Sequence, residues 1–184
     1  MGLVSNVKRI MVMGVSAGVG KSTFARELGE ILNIDVYHLD SFYWKPNWVE
    51  APQEEFANSQ QEIVEQDEWI IEGNYNRTYD IRAQHADTII YLELPLLVCL
   101  YRVIKRWISH IGETRSDMGE GCIEKLDYPF LKYILTTYKR RKKQMRDQFG
   151  NLIKSNSDIK VVLLNCKTNI RAYLEALSQS KVDD

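Results

Sequence analysis

Residues 14–23 read Gly14-Val15-Ser16-Ala17-Gly18-Val19-Gly20-Lys21-Ser22-Thr23. Glycines at this spacing let backbone N–H groups turn inward and cradle phosphate oxygens. A lysine after the last glycine can reach the β- and γ-phosphates of a nucleoside triphosphate, and the Ser22 hydroxyl can bind Mg²⁺. The pattern predicts a P-loop in which Ser16, Ala17, Gly18, Val19, Gly20, Lys21, Ser22 and Thr23 hold ATP with Mg²⁺. One position departs from it: Val15 stands where the first glycine is expected, and Gly14 lies one residue earlier.

Such a loop needs a strand before it and a helix after it. Residues 7–13 are apolar enough for a buried strand. Residues 21–32 carry apolar side chains at helical spacing, and a helix N-terminus there adds partial positive charge. Four more strands are predicted at 35–39, 68–72, 88–94 and 160–164. Helical segments are predicted at 53–66, 76–85, 95–110, 129–149 and 168–179, with Pro95 opening one and Gly150 closing another. Strands alternating with helices imply βαβ units: an α/β fold with a parallel sheet covered on both faces. Ligands of such sheets bind beyond the carboxyl ends of the strands.

Those strand ends carry carboxylates. Asp40 follows the second strand, where it could orient or deprotonate an acceptor hydroxyl or help hold Mg²⁺ through water. His38 precedes a residue of opposite orientation and reads as structural. Glu72 ends the apolar run Trp69-Ile70-Ile71, and a buried carboxylate needs a cation or donor, either Mg²⁺ or Lys21. Glu93 is the second choice for this role and otherwise caps the helix after Pro95. Asn74, Tyr43 and Arg77 are candidates for contacting the acceptor, Arg77 because its planar donors match anionic oxygens. Arg82 reads equally well as a site residue or an exposed helix residue.

Arg102 and Arg106 are four apart and share a helix face. Arg115 lies in the polar segment 112–128, which contains Gly112, Gly119 and Gly121. A loop of that length carrying cations suggests a lid that folds over the triphosphate, where Arg102, Arg106 and Arg115 would stabilise the transferring phosphoryl group. Phe42, Tyr43, Trp44 and Trp48 crowd the segment after Asp40; they could stack on a planar acceptor or order the loop as an apolar cluster.

The basic run Tyr138-Lys139-Arg140-Arg141-Lys142-Lys143 could bind nucleic acid or close over phosphate. The chain has 184 residues and a formal net charge of −1, so no overall field draws it to nucleic acid or membrane. A nucleic-acid partner is therefore possible but not favoured. The length suits one domain over 1–184, with 112–128 as an insertion. Three widely spaced cysteines, Cys99, Cys122 and Cys166, fit reduced thiols in a cytoplasmic protein. The apolar stretch 89–104 is broken by Glu93, Pro95 and Arg102 and reads as strand then helix, not as a membrane span.

Several stretches resemble one family over nearly the whole chain. They are Ser16 to Thr23, Val36-Tyr37-His38-Leu39-Asp40, Trp44-Lys45-Pro46-Asn47-Trp48, Glu68 to Tyr75, and Thr114-Arg115-Ser116-Asp117-Met118. The first is widely shared and the others are more specific. The resemblance is to small bacterial P-loop proteins called DNA topology modulation proteins, themselves similar to adenylate kinase and other nucleoside and nucleotide kinases. It implies an adenylate-kinase-like sheet of five parallel strands in the order 2-3-1-4-5, binding of ATP and Mg²⁺, and a lid. It also implies that Lys167 and Thr168 lie near the adenine. The expected function is a phosphotransferase acting on a small acceptor, a nucleoside, nucleotide or similar metabolite. The alternative is an ATP-binding regulator of DNA topology that binds DNA or a protein partner.

Overall fold

The computed structural model describes residues 7–155 and 159–182. In chain order its elements are β1 (Arg9–Gly14), α1 (Lys21–Leu32), β2 (Val36–His38), α2 (Leu39–Tyr43), β3 (Trp44–Lys45), β4 (Val49–Glu50) and α3 (Gln53–Val64). Then come β5 (Trp69–Glu72), α4 (Tyr79–Ala83), β6 (Thr88–Leu92), α5 (Leu96–Ser109), α6 (Tyr128–Ser155), β7 (Lys160–Leu164) and α7 (Lys167–Val182). Strands β2-β5-β1-β6-β7 form a parallel sheet of five, which is the order 2-3-1-4-5. The expected fold class is the observed one.

Burial explains the order. Ile10 to Met13 in β1 are fully buried, as are Ile89 to Leu92 in β6 and Trp69 to Ile71 in β5. Runs with no polar alternation suit strands covered on both faces. The registers align the carboxyl ends: Val12 pairs with Glu72, Glu72 with His38, and Gly14 with Leu92. The P-loop, Glu72 and His38 therefore emerge along one edge. Because neighbouring residues of a parallel sheet point to the same face, His38 and Glu72 lie side by side.

Three local readings change. The segment after Asp40 holds the short helix α2 and the β3–β4 hairpin. Helix α5 starts at Leu96 with Pro95 as its N-cap. Helix α6 runs through Gly150 to Ser155, because nothing crowds that position and a lone glycine does not stop a helix. The stretch 89–104 divides into β6 and α5 as expected, and among the described residues no helix is long and apolar enough to cross a membrane.

Arg82 of α4 is fully buried, not exposed. Its Nη1 donates to the Gly73 carbonyl at 2.9 Å and its Nη2 to the Tyr75 carbonyl at 2.8 Å. Burial lowers its pKa to about 10, so it stays charged at neutral pH. It clamps the turn after β5, where Gly73 adopts φ 146° and a β-carbon would press within 2.9 Å of Leu39. Arg82→Met removes both donors and leaves two carbonyls unpaired, so a loss of about 2–5 kcal/mol is expected. Denaturant unfolding reads it as a lower midpoint at unchanged slope; a midpoint equal to wild type would remove the clamp.

Candidate active site

The P-loop joins β1 to α1. Val15 is fully buried and donates its N–H to the Leu92 carbonyl at 2.9 Å, so it extends the sheet edge. The tight contact falls on Gly14, where a β-carbon would lie 2.5 Å from the Val19 side chain. Gly18 and Gly20 have φ of 75° and 102°, conformations that favour glycine. At Gly18 a β-carbon would also collide with the Cys99 carbonyl of α5. The Asn74 amide brackets the loop's start, accepting from the Gly14 N–H at 2.9 Å and donating to the Gly14 carbonyl at 2.6 Å. Its side chain is thus engaged with backbone.

Glu72 gathers the centre. Lys21 Nζ lies 3.4 Å from Oε1, and Ser22 Oγ donates to Oε2 at 3.1 Å. His38 Nδ1 lies 3.1 Å from the same Oε2. Burial alone would raise the Glu72 pKa; Lys21, then His38 and Ser22, more than offset it and hold it below the usual carboxylate range. His38 is thus a partner of Glu72. Its neighbour Leu39 takes the core side at full burial, which turns the imidazole toward the site.

Asp40 lines the same cavity as Lys21 and Ser22. Tyr75 donates its hydroxyl to Asp40 Oδ1 at 2.5 Å. The Asp40 pKa is raised, first by burial and then by the Glu72 charge, against the opposing pull of Tyr75, Lys21 and Arg115. A carboxylate with elevated pKa, facing the phosphate-binding lysine, is suited to taking a proton.

The polar segment 110–127 arches over this centre and docks on the β3–β4 hairpin. Trp48 Nε1 donates to the Ile123 carbonyl at 2.9 Å, the Cys122 thiol to the Lys45 carbonyl at 3.2 Å, and the Asn47 N–H to the Gly121 carbonyl at 3.3 Å. Gly119 sits so close that a β-carbon would overlap the Trp44 carbonyl oxygen. Arg115 is brought in, with Nη1 donating to both oxygens of Asp117 at 2.9 and 2.8 Å and Nε to Glu124 at 2.7 Å. Arg106 Nε donates to the other Glu124 oxygen at 3.0 Å. Arg102 Nη1 donates to the Val19 carbonyl at 2.9 Å and so props the P-loop from α5.

One cavity of about 1340 Å³ joins these groups. It runs from Lys167 and Ile170 of α7, over Gly18 to Phe24, to Asp40, Trp44 and Trp48. Ligand pockets usually hold roughly 300–1,000 Å³, so this one has room for a donor and an acceptor together. Of the expected residues, Ala17 to Thr23, Asp40, Arg102, Arg106, Arg115 and Lys167 line it. Ser16 is buried beneath the loop, Glu72 is reached through Lys21 and Ser22, and Thr168 is exposed outside the lining. Arg77 is exposed and outside it too. Tyr43 packs its ring on Phe56 and Tyr75 at 5.1 and 4.7 Å between centroids. Trp44 and Trp48 pack on each other at 5.5 Å and both line the cavity. The apolar-cluster reading therefore holds for Tyr43, while the two indoles face the pocket.

Glu93 and the basic run belong elsewhere. Glu93 is buried and accepts from Arg146 Nη2 at 2.6 Å and Nε at 3.0 Å, with Lys142 Nζ at 2.9 Å. It pins α6 to the end of β6 and does not cap α5. Arg141 lies over the Tyr133 ring, and no residue of 139–143 lines the cavity.

Asp117 and Glu124 carry no role in the sequence, and His38, which reads there as structural, partners Glu72. Asp117 is two residues from Arg115, a spacing that shares a face in extended backbone. Glu124 offers no comparable signal, because its partner Arg106 is eighteen positions away.

The donor set fits Mg²⁺. Among the described residues no group of three or more His, Cys, Asp or Glu forms a protein-only metal site. Mg²⁺ in phosphate sites takes one or two protein oxygens and fills the rest with water and phosphate. The Ser22 hydroxyl beside the Glu72 carboxylate supplies that set.

No family model and no curated protein matches this chain. Solved structures do. Shikimate kinase from Acinetobacter baumannii, in complex with shikimate, superposes with a TM-score of 0.55 at 12% identity, over 97% of this chain and 94% of that one. Shikimate kinase from Bacteroides thetaiotaomicron gives 0.52 at 15%, over 94% and 97%. A gluconokinase from Sinorhizobium meliloti gives 0.50 at 13%, over 95% of both. At such identities the likeness is one of architecture: the chain has the adenylate-kinase-like fold of P-loop small-molecule kinases.

Proposed function

We propose that this protein is an ATP- and Mg²⁺-dependent phosphotransferase acting on the hydroxyl of a small acceptor. The observation that carries the reading is one cavity lined by Lys21, Ser22 and Asp40, with Glu72 held behind Lys21 and Ser22. The loop amides, Lys21 and Ser22 hold the triphosphate, with Lys167 on the base side. Ser22 and, through water, Glu72 would hold Mg²⁺, which would supply positive charge to the phosphates. Asp40 takes the acceptor proton as the acceptor oxygen bonds to the γ-phosphorus; the bond to the bridging oxygen breaks and ADP leaves with the electron pair. Arg102 fixes the loop, and Arg106 and Arg115 present donors to the transferring group. Residues 112–128 close over the site as a lid within one domain, 1–184. Asn74 supports the loop at Gly14. Tyr43 packs on Tyr75, the partner of Asp40, while Arg77 stays outside the cavity.

Membership of the DNA topology modulation family is part of this proposal and rests on the sequence stretches that resemble it. A cytoplasmic setting belongs to it as well. A regulator that binds DNA draws less support, since Lys142 and Arg146 are committed to Glu93.

The direct test is purified protein with Mg-ATP and a panel of nucleosides, nucleotides and sugar derivatives, read for ADP and a phosphorylated product. Acceptor-dependent ADP release with a phosphorylated product is expected. Stabilisation by ATP with no acceptor-dependent turnover across the panel would count against the phosphotransferase and for the regulator.

A further inference from the structure

The charges around the acceptor half of the cavity carry a specificity. Arg106, on α5, and Arg115, in the 112–128 segment, are both matched inside the protein. Asp117 takes Arg115 through two bonds, and Glu124 bridges Arg115 and Arg106. Asp117 and Glu124 are 9% and 6% exposed, so the two arginines carry buried counter-charges and, beyond the Nη donors assigned to the transferring group, offer an acceptor no net positive charge. Lys125 is matched by Asp127 at 3.8 Å and lies over the Trp48 ring at 5.1 Å.

Among the described residues, two carboxylates at this end make no ion pair within 4 Å, although Lys21 and Arg115 act on one of them, Asp40, at longer range. Asp40 is held by the Tyr75 hydroxyl, and Glu50, exposed on β4, lies beside the Tyr43 hydroxyl. Both line the cavity next to Trp44 and Trp48. The arginines that could have reached an anionic acceptor are placed otherwise: Arg77 is outside the cavity, and Arg82 is buried against backbone carbonyls.

The geometry points to an acceptor that is uncharged or cationic and carries a ring with an apolar face, of the class of nucleosides and amino sugars, and not a nucleotide or a sugar acid. This rests on the phosphotransferase reading and narrows its substrate. The indoles cover the ring, Asp40 meets the hydroxyl, and the acidic surplus repels an anion.

The experiment uses the full chain saturated with Mg²⁺ and a non-hydrolysable ATP analogue. Calorimetry and thermal shift then compare matched pairs: thymidine with its 5′-monophosphate, cytidine with its 5′-monophosphate, and glucosamine with gluconate. In at least one pair the uncharged or cationic member is expected to bind at least tenfold more tightly. In Glu50→Gln that ratio is expected to fall several-fold, which a purely steric preference would not produce. Equal or tighter binding of the anionic member in each pair, or no binding by any probe, would overturn the inference. Selective binding of an uncharged probe that never releases ADP from Mg-ATP would uphold the ligand class and remove the phosphotransferase reading, so the two failures are distinct.

Discussion

Lys21→Ala is expected to lower kcat/KM for ATP-dependent phosphoryl transfer by roughly 10²–10⁴-fold, the range seen when a positioned charge at a reacting phosphoryl or oxyanion is removed. The ammonium stands at the loop's mouth, 3.4 Å from Glu72, and its side chain is only 16% exposed. A charge in so dry a place acts across a lower dielectric than water and is not replaced by solvent when lost. The variant also leaves Glu72 with only His38 and Ser22, so some stability is lost together with activity. Because the Glu72 pKa is depressed in the folded state, its stabilising effect is fully present above the unfolded value of about 4.3 and disappears as pH falls through the folded value. Without Lys21 the depression shrinks. Wild type and variant should therefore differ in stability at pH 7 and converge as pH falls below 4. Single-turnover kinetics with denaturant unfolding at both pH values checks this. Retained turnover in the variant would remove Lys21 from the mechanism.

How far the sequence reveals such a centre depends on the range of the forces involved. The P-loop is local: glycine, lysine and serine occupy fixed offsets, so Gly18 to Thr23 could be placed by inspection. Glu72 was legible because a carboxylate ending an apolar strand demands a partner. Helix and strand order followed from periodicity, and the strand order from the family resemblance. His38 was not legible, since its meeting with Glu72 depends on the register of β2 against β5. Arg82 carries a surface residue's composition, yet α4 folds back and drives it under the turn at Gly73. The lid carboxylates escaped for a related reason. Glu124 is bound to Arg106 through a loop whose path is fixed by its docking on the β3–β4 hairpin. That hairpin was itself read as irregular, because two-residue strands leave no periodic signal.

Asp40→Asn should separate catalysis from stability more sharply than any other change. The amide keeps the size of the carboxyl and can still accept from the Tyr75 hydroxyl, but it cannot take a proton. A kcat loss of about 10²–10⁴-fold is expected, with ATP affinity altered by less than about threefold. Stability should move the other way. Burial, and then the Glu72 charge, raise the Asp40 pKa in the folded state, so the folded protein holds that proton more tightly than the unfolded chain. Ionised Asp40 therefore costs stability above its folded pKa, and the cost fades as pH falls through that value. Asparagine is neutral throughout. The variant should be more stable than wild type at pH 7, and the advantage should vanish in acid. Unfolding midpoints at pH 7 and pH 4, with kcat and nucleotide affinity on the same preparation, test both halves. Parallel losses in kcat and ATP affinity would make Asp40 a structural support. A drop in stability at pH 7 would mean that the carboxylate is stabilised by Lys21 and Arg115 more than burial and Glu72 oppose it. The predicted combination, a slower and sturdier protein, is what a site shows when a strained charge is kept for the reaction it performs.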